Sequence, residues 1–441
     1  MGKNKIYNAR EQAVRSLVHI EREGAFSNLE TREVLSRFDF NKADQGLYLT
    51  LVYGTLQNKR WIDSMLSKVV KQPLNQLNET VLMILRTAVY QMIFLDRVPD
   101  YAVVDEAVNM AGRLKKQAKG FINGVLRNFL RQKEILTAFD LSEWENEKEG
   151  LALRYSIPQR IVFQYCEAFG EEKAMQIIPT LNQDPPFSIR VNTLKTSRED
   201  LMAALSGAGF EVTPGKCDPA CIHLCKTTGV NLREEPRYNA GEYTVQDQGA
   251  MMLTALLDPQ PGDCICDMCA APGGKTTHLA QLMNNQGEIF ARDVHESRVA
   301  LIDQTAKRLG IDIIRTEVAD GTVLDPIDIG YFDRILCDAP CSGTGIIRRK
   351  PEIRDRNGRK ERRALRQTQA ALLNNAAKML KPGGVLVYST CTVDAEENEK
   401  QIEKLLAAHP ELQIVDGTMG YTDPTLDGSD VFFHCKLIKA D

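Results

Sequence analysis

From about residue 241 onward the chain alternates between short apolar runs and helical patterns, and this rhythm constrains its fold more than any other feature. Strand-like runs fall at 263–269, 288–293, 313–318, 333–338, 384–389 and 430–438. Helical spacing separates most of them, at about 274–284, 296–309, 358–380 and 395–408. Strands that alternate with helices pack as a mostly parallel sheet covered on both faces, so an α/β domain is predicted over 241–441. In such sheets ligands bind beyond the carboxyl ends of the strands. Residues at those ends are the candidates for chemistry.

The preceding chain has a different period. Residues 1–138 read as helices throughout: Val14, Leu17 and Val18 share one face, and so do Val81, Ile84, Leu85, Ala88 and Val89. Pro73 and Pro99 punctuate the loops between them. The acidic stretch from Ser142 to Gly150 reads as a linker. Beyond it come a helical run over 158–182, an alternating strand from Phe187 to Asn192 and a short helix opened by Ser197, which together predict a small α+β module over 145–240.

Composition excludes several classes. The 441 residues are 43% hydrophobic and 26% charged, as in a globular chain with a sizeable core. No run approaches the ~18 apolar residues of a membrane-spanning helix. The opening Met1-Gly-Lys-Asn-Lys5 has no apolar stretch of a secretory signal, so a cytoplasmic protein is expected. Its eleven cysteines are therefore expected as free thiols. Cys217, Cys221, His223 and Cys225 crowd together, as do Cys264, Cys266 and Cys269, but neither group has the paired spacing of a zinc site, and no metal is expected. A net charge of −4 does not mark a nucleic-acid binder. The segment from Arg348 to Arg366 says more, with ten Lys/Arg against three Asp/Glu: such a run is usually a solvated helix face, and next to a catalytic motif it also suits a phosphate backbone.

Cys269-Ala270-Ala271-Pro272-Gly273-Gly274-Lys275-Thr276 follows the first strand and opens a helix. Two glycines permit close backbone approach, and a helix N-terminus attracts an anionic group. A phosphate-binding Walker loop needs glycine where Cys269 stands, and the dinucleotide fingerprint G-x-G-x-x-G is absent. A cofactor with one carboxylate and no pyrophosphate needs fewer glycines, which suits S-adenosylmethionine. Asp293 ends the next strand, where ribose hydroxyls are held in related sheets, and Asp320 follows the third, on the adenine side. The fourth strand ends in Asp338-Ala-Pro-Cys341 and the fifth in Ser389-Thr-Cys391. Both cysteines thus reach the rim where cofactor and substrate meet, and a thiol there becomes a nucleophile only if its surroundings lower its pKa.

The set Ala-Pro-Gly-Gly-Lys-Thr, Asp338-Ala-Pro-Cys341 and Thr390-Cys391 resembles the RNA (cytosine-5) methyltransferase family. The helical N-terminus resembles the NusB-like RNA-binding domain, through Tyr53-Gly54-Thr55, Ala102-Val103-Val104 and Asn123-Gly-Val-Leu-Arg-Asn128. The domain order is similar to that of the bacterial 16S rRNA cytosine-C5 methyltransferases. This resemblance implies a Rossmann-like class I methyltransferase domain that uses S-adenosylmethionine. Cys269, Ala270, Ala271, Pro272, Gly273, Gly274, Lys275, Asp293, Asp320 and Asp338 would line the cofactor. It also implies Cys391 as the nucleophile toward cytosine C6, Cys341 as the group that assists release, and Asp338 as the partner of the base's N3/N4 edge. The implied partner is 16S ribosomal RNA, not DNA or a membrane, and a monomer is expected. Asp338-Ala-Pro-Cys341 differs from the Asp/Asn-Pro-Pro-aromatic segment of exocyclic-amine methyltransferases, and a DNA-type enzyme would need no second cysteine at 391. Two positions depart from the family pattern. Arg354-Asp355 stands where an aromatic is frequent, and Val431 where glycine is usual.

Overall fold

The computed structural model describes residues 8–226, 232, 234–356 and 358–440. Contacts divide the chain into two units. One comprises residues up to Cys166 together with Glu171–Gln183 and Ile347–Arg356; the other holds Glu167–Gly170, Asp184–Ile346 and the chain from Asn357 onward.

The first unit is helical. Asn8 caps the helix Ala9–Glu23 by accepting from the Glu11 N–H, and Gly24 ends it in the left-handed region. Ala13, Val14, Leu17 and Ile20 form its buried stripe. The helix Glu79–Phe94 is buried from Val81 to Met92, all round and not on one face as its spacing predicts. A helix apolar on every side belongs at the centre of a bundle. Its one buried cation, Arg86, is neutralised by Asp63 at 2.7 Å and Glu21 at 3.3 Å. Around it pack Ala9–Glu23, Lys42–Gln57, Lys59–Val69, Asp100–Leu114 and Lys119–Arg131, with Ser27–Arg37 against the first two of these. The stretch expected as a linker is ordered. Asn146 caps a helix, Glu147–Arg154, whose Leu151 and Ala152 are buried, and at Gly150 any Cβ would meet the Trp144 ring.

The second unit contains two sheets. In the smaller, β1 (Phe187–Val191), β2 (Glu211–Pro214), β3 (Cys221–Lys226) and β4 (Tyr243–Val245) pair antiparallel in the order β2-β3-β1-β4. The helix Arg198–Gly207, capped by Ser197, buries Leu201 and Leu205 with Ile189, Val191 and Ile222. The larger sheet has β5 (Cys264–Asp267), β6 (Glu288–Asp293), β7 (Ile314–Val318), β8 (Phe332–Asp338), β9 (Leu380–Thr390), β10 (Leu412–Ile414), β11 (Gly420–Tyr421) and β12 (Phe433–Lys439). Its order is β10-β12-β9-β8-β5-β6-β7, with β11 on β12. The strands β7, β6, β5, β8 and β9 are parallel, and β12 runs antiparallel beside β9. This is the Rossmann-like arrangement expected from the alternating strands and helices. From β5 the chain winds outward to β6 and β7, then returns to the other side of β5 as β8. That reversal opens a crevice beyond the carboxyl ends of β5 and β8.

Candidate active site

The glycine loop leaves β5 at Asp267 and enters the helix Gly274–Leu282. Gly273 adopts φ +97°, and a Cβ there would press on Ile302 at 3.1 Å, so only glycine lets the chain turn so tightly into the helix. From the smaller sheet, the fully buried Arg190 on β1 braces this helix. It donates to Gln281 Oε1 at 2.6 Å, the Gly274 carbonyl at 2.6 Å and Thr277 Oγ1 at 2.9 Å, and it also bonds Gln246. Burial holds the Arg190 pKa down near 9.

Asp267 is 1% exposed. One carboxylate oxygen accepts from Thr276 Oγ1 at 2.7 Å, and the other has no partner. Burial lifts its pKa to about 7. An orphaned buried acceptor beside a glycine cradle fits a ligand that brings both a cationic and an anionic group, as the amino-acid end of S-adenosylmethionine does. Asp293, at the end of β6, is buried and oriented by the His295 N–H at 3.1 Å and by Arg298 at 3.2 Å. Asp320 lies two residues beyond β7, exposed, with one oxygen accepting from the Thr322 N–H and Oγ1. The structure therefore brings the loop Cys269–Lys275, Asp293 and Asp320 to the same rim of the sheet.

Asp338 ends β8 opposite Ser389 of β9. Its carboxylate receives Lys275 Nζ at 2.5 Å and Ser389 Oγ at 2.8 Å. Lys275 also lies 5.3 Å from the Phe432 ring centre. Burial opposes charge on Lys275, yet Asp338 and Cys391 outweigh it and raise the ammonium's pKa. The two loops that follow β8 and β9 bring Cys341 Sγ to 3.3 Å from Cys391 Sγ. The sulfur contact, together with burial, pushes the Cys341 thiol well above its usual range. Gly345 ties these loops together. Its N–H donates to the Cys391 carbonyl at 2.9 Å, and its carbonyl accepts from Val431 at 3.1 Å. Val431, the residue that departs from the family's glycine, is fully buried and makes this contact through its backbone.

Sequence reading missed Asp267, although it ends its strand as Asp293 does. It also missed Arg190, whose alternating-strand context carries no sign of a partner ninety residues away. The basic segment is narrower than its composition suggests. Arg354 is 2% exposed and donates within the helical unit to the Gln57 carbonyl at 2.6 Å, the Tyr155 carbonyl at 2.7 Å and Asn182 Oδ1 at 2.7 Å. Its neighbour Asp355 pairs with Lys59 at 2.9 Å and Arg60 at 2.6 Å, so the position where an aromatic is frequent serves packing here. Arg359, Lys360 and Arg363 remain exposed on the first turns of the helix Arg359–Met379. Cys217 bonds Asp427 and Cys221 bonds Gln248, and among the described residues no group of three or more His, Cys, Asp or Glu could hold a metal. Nor, among them, is any helix long and apolar enough to cross a membrane.

Residues 254–436 match the 16S rRNA methyltransferase RsmB/F family, 7–131 the NusB family, and 157–231 the RsmF/B-like ferredoxin-like domain. A probable ribosomal RNA small subunit methyltransferase B from Bacillus subtilis is 35% identical, over 98% of this chain and 99% of its own. The chain belongs to the 16S rRNA methyltransferase RsmB/F family. Among solved structures, that of PH0851 is 27% identical with a TM-score of 0.81, covering 99% of this chain and 100% of its own. NSun6 from Pyrococcus horikoshii, solved with SFG, is 25% identical with a TM-score of 0.57 over 64% of this chain and 98% of its own. Family membership agrees with the fold: a helical NusB domain, a ferredoxin-like module and a Rossmann-like methyltransferase domain.

Proposed function

We propose that this RsmB/F-family chain transfers a methyl group from S-adenosylmethionine to C5 of a cytosine in 16S ribosomal RNA, through a covalent bond between Cys391 and C6 of the base. The observation that carries the reading is the pair of facing thiols, 3.3 Å apart, beside a half-buried Lys275–Asp338 ion pair. Addition to the base needs one thiol at this rim; a second thiol facing it is available as the base for the elimination that follows.

In this reading the loop Cys269–Lys275 with Asp267, Asp293 and Asp320 holds the cofactor, which when bound supplies the methyl group as an electrophile. C5 of cytosine is a weak nucleophile. Addition of the Cys391 thiolate to C6 breaks the ring's aromaticity and loads electron density onto C5. The Lys275 ammonium favours that thiolate electrostatically. Asp338, held between Lys275 and Ser389, accepts from the exocyclic amine, and a proton shared between its other oxygen and N3 neutralises the negative charge that addition places on the ring. Once C5 carries the methyl group, Cys341, having given up its own proton to solvent, takes the C5 proton as a thiolate that the Cys391 contact and burial make strongly basic; the C6–S bond breaks, and Cys391 departs as thiolate. The base must arrive unstacked, so the target lies in a loop or an opened stem. The NusB-like residues 1–138 and the exposed cations from Arg359 supply RNA affinity, with 145–240 as the intervening module and 241–441 as the catalytic domain. The protein acts as a cytoplasmic monomer on RNA and not on DNA.

The test separates the two cysteines. With cofactor and substrate RNA present, Cys341→Ala is expected to accumulate a protein–RNA adduct that survives denaturing electrophoresis, whereas Cys391→Ala forms none. The reverse pattern would make Cys341 the nucleophile and overturn the assignment.

A further inference from the structure

Cys391 directly follows Thr390, the last residue of β9, which pairs with β12, and its own carbonyl accepts from the Gly345 N–H at 2.9 Å, so its backbone is held close to the sheet. Cys341 has no such support. It sits in the loop between β8 and the short turn at Thr344–Ile346, and its position depends on side chains from elsewhere. Two of them are fully buried, Glu397 and Gln369. One carboxylate oxygen of Glu397 accepts from the Ser342 N–H at 3.0 Å and from Gln369 Nε2 at 2.9 Å. The same Gln369 Nε2 donates to the Pro340 carbonyl at 2.9 Å. The peptide groups on either side of Cys341 are thus gripped by one connected pair. Glu397 is itself anchored, because its carbonyl accepts from Tyr388 Oη at 2.6 Å on β9. Ser342 Oγ and Thr344 Oγ1 each lie 2.8 Å from Thr392 Oγ1, which ties the same loop to the residue after Cys391.

Burying a carboxyl group is costly unless its bonds are worth the desolvation, and here burial raises the Glu397 pKa. A residue kept in that state merely to fill space is readily replaced by an apolar one. We propose that Glu397, with Gln369, positions Cys341 so that its sulfur meets the methylated base, making the pair the positioning residues of the release step. This rests on the assignment of Cys341 to that step. It adds no reacting group: the C5 proton still passes to Cys341 and the C6–S bond still breaks toward Cys391.

Three variants of the full chain test it, with substrate RNA and S-adenosylmethionine. Glu397→Leu removes both acceptors at similar volume and is expected to form the covalent adduct normally but release it about tenfold more slowly, so the adduct accumulates. Gln369→Met keeps the shape, loses the grip on Pro340, and is expected to trap the adduct as well; it keeps the test open should Glu397→Leu not fold. Glu397→Gln retains an oxygen for both N–H donors and is expected to release near the wild-type rate. A role limited to stability would lower the melting temperature of Glu397→Leu without trapping RNA, and that result overturns the proposal. So does trapping by Glu397→Gln equal to that of Glu397→Leu. Cys341→Ala, run alongside, distinguishes the failures. If it traps and neither Glu397→Leu nor Gln369→Met does, positioning alone is wrong; if it does not trap, the role of Cys341 in release is wrong and the proposal falls with it.

Discussion

Asp267 carries the sharpest quantitative consequence of the site. Its carboxyl group is buried, one oxygen is unpartnered, and its pKa stands at about 7 against an ordinary 3.8. A folded-state pKa raised above the unfolded value contributes stability that is fully present below about pH 4. That stability is lost as pH rises through 7, because the folded chain must then hold a desolvated charge. The shift corresponds to up to about 4 kcal/mol, since each unit is about 1.4 kcal/mol. Asp267→Asn abolishes the titration, so at pH 8 it should make the free protein more stable by as much as that, while at pH 4 the two should melt alike. Cofactor binding should move the other way. An ammonium group placed against Asp267 is held by the ionised form, so wild-type affinity should fall about tenfold from pH 8 to pH 6 as the carboxylate takes up its proton. In Asp267→Asn the affinity should be weaker at pH 8 and its pH dependence largely flat. Calorimetric titration of S-adenosylmethionine across pH 5.5–8.5, paired with melting curves of the free protein, measures both. An equal pH slope in wild type and Asp267→Asn would refute the reasoning, and so would a variant that binds as tightly as wild type at pH 8.

Gly345→Ala should cut methyl transfer by about a hundredfold while cofactor affinity stays near wild type. The added Cβ would overlap the Val431 carbonyl and lie 3.0 Å from that of Cys391, displacing the loop that sets the sulfur contact. Single-turnover rates beside calorimetry check it, and unchanged turnover would show the loop tolerates the shift. Replacing Arg359, Lys360 and Arg363 together by Gln should make RNA affinity less salt-dependent, reducing the slope of log K against log salt by about 2 if all three meet phosphates. An unaltered slope would leave this helix face merely solvated.

How much of this was legible in the sequence follows from how each part is specified. The parallel strands and their helices were readable because burial on both faces imposes continuous apolar runs, and turn residues bound them. The segments β10 and β11 were not. With three and two residues they have no period of their own and exist through pairing with β12. The helix Glu79–Phe94 looked one-sided because spacing reports the strongest face, whereas its burial all round depends on how many neighbours surround it. The same distinction runs through the site. Cys341, Cys391, Asp338 and the glycine loop were visible because a parallel sheet delivers all its strand ends to one rim, so position along the chain fixes position at the site. Arg190, Gln369 and Glu397 were not, because their partners lie between 28 and 91 residues away and nothing local marks them. A buried glutamine in a helix and a buried glutamate after a turn look like ordinary surface residues until the sheet brings the Cys341 loop against them. Local pattern therefore announces which groups reach the rim. How accurately those groups are aimed is decided by buried polar side chains whose identity makes sense only after folding, and there substitutions should change rates without changing the fold.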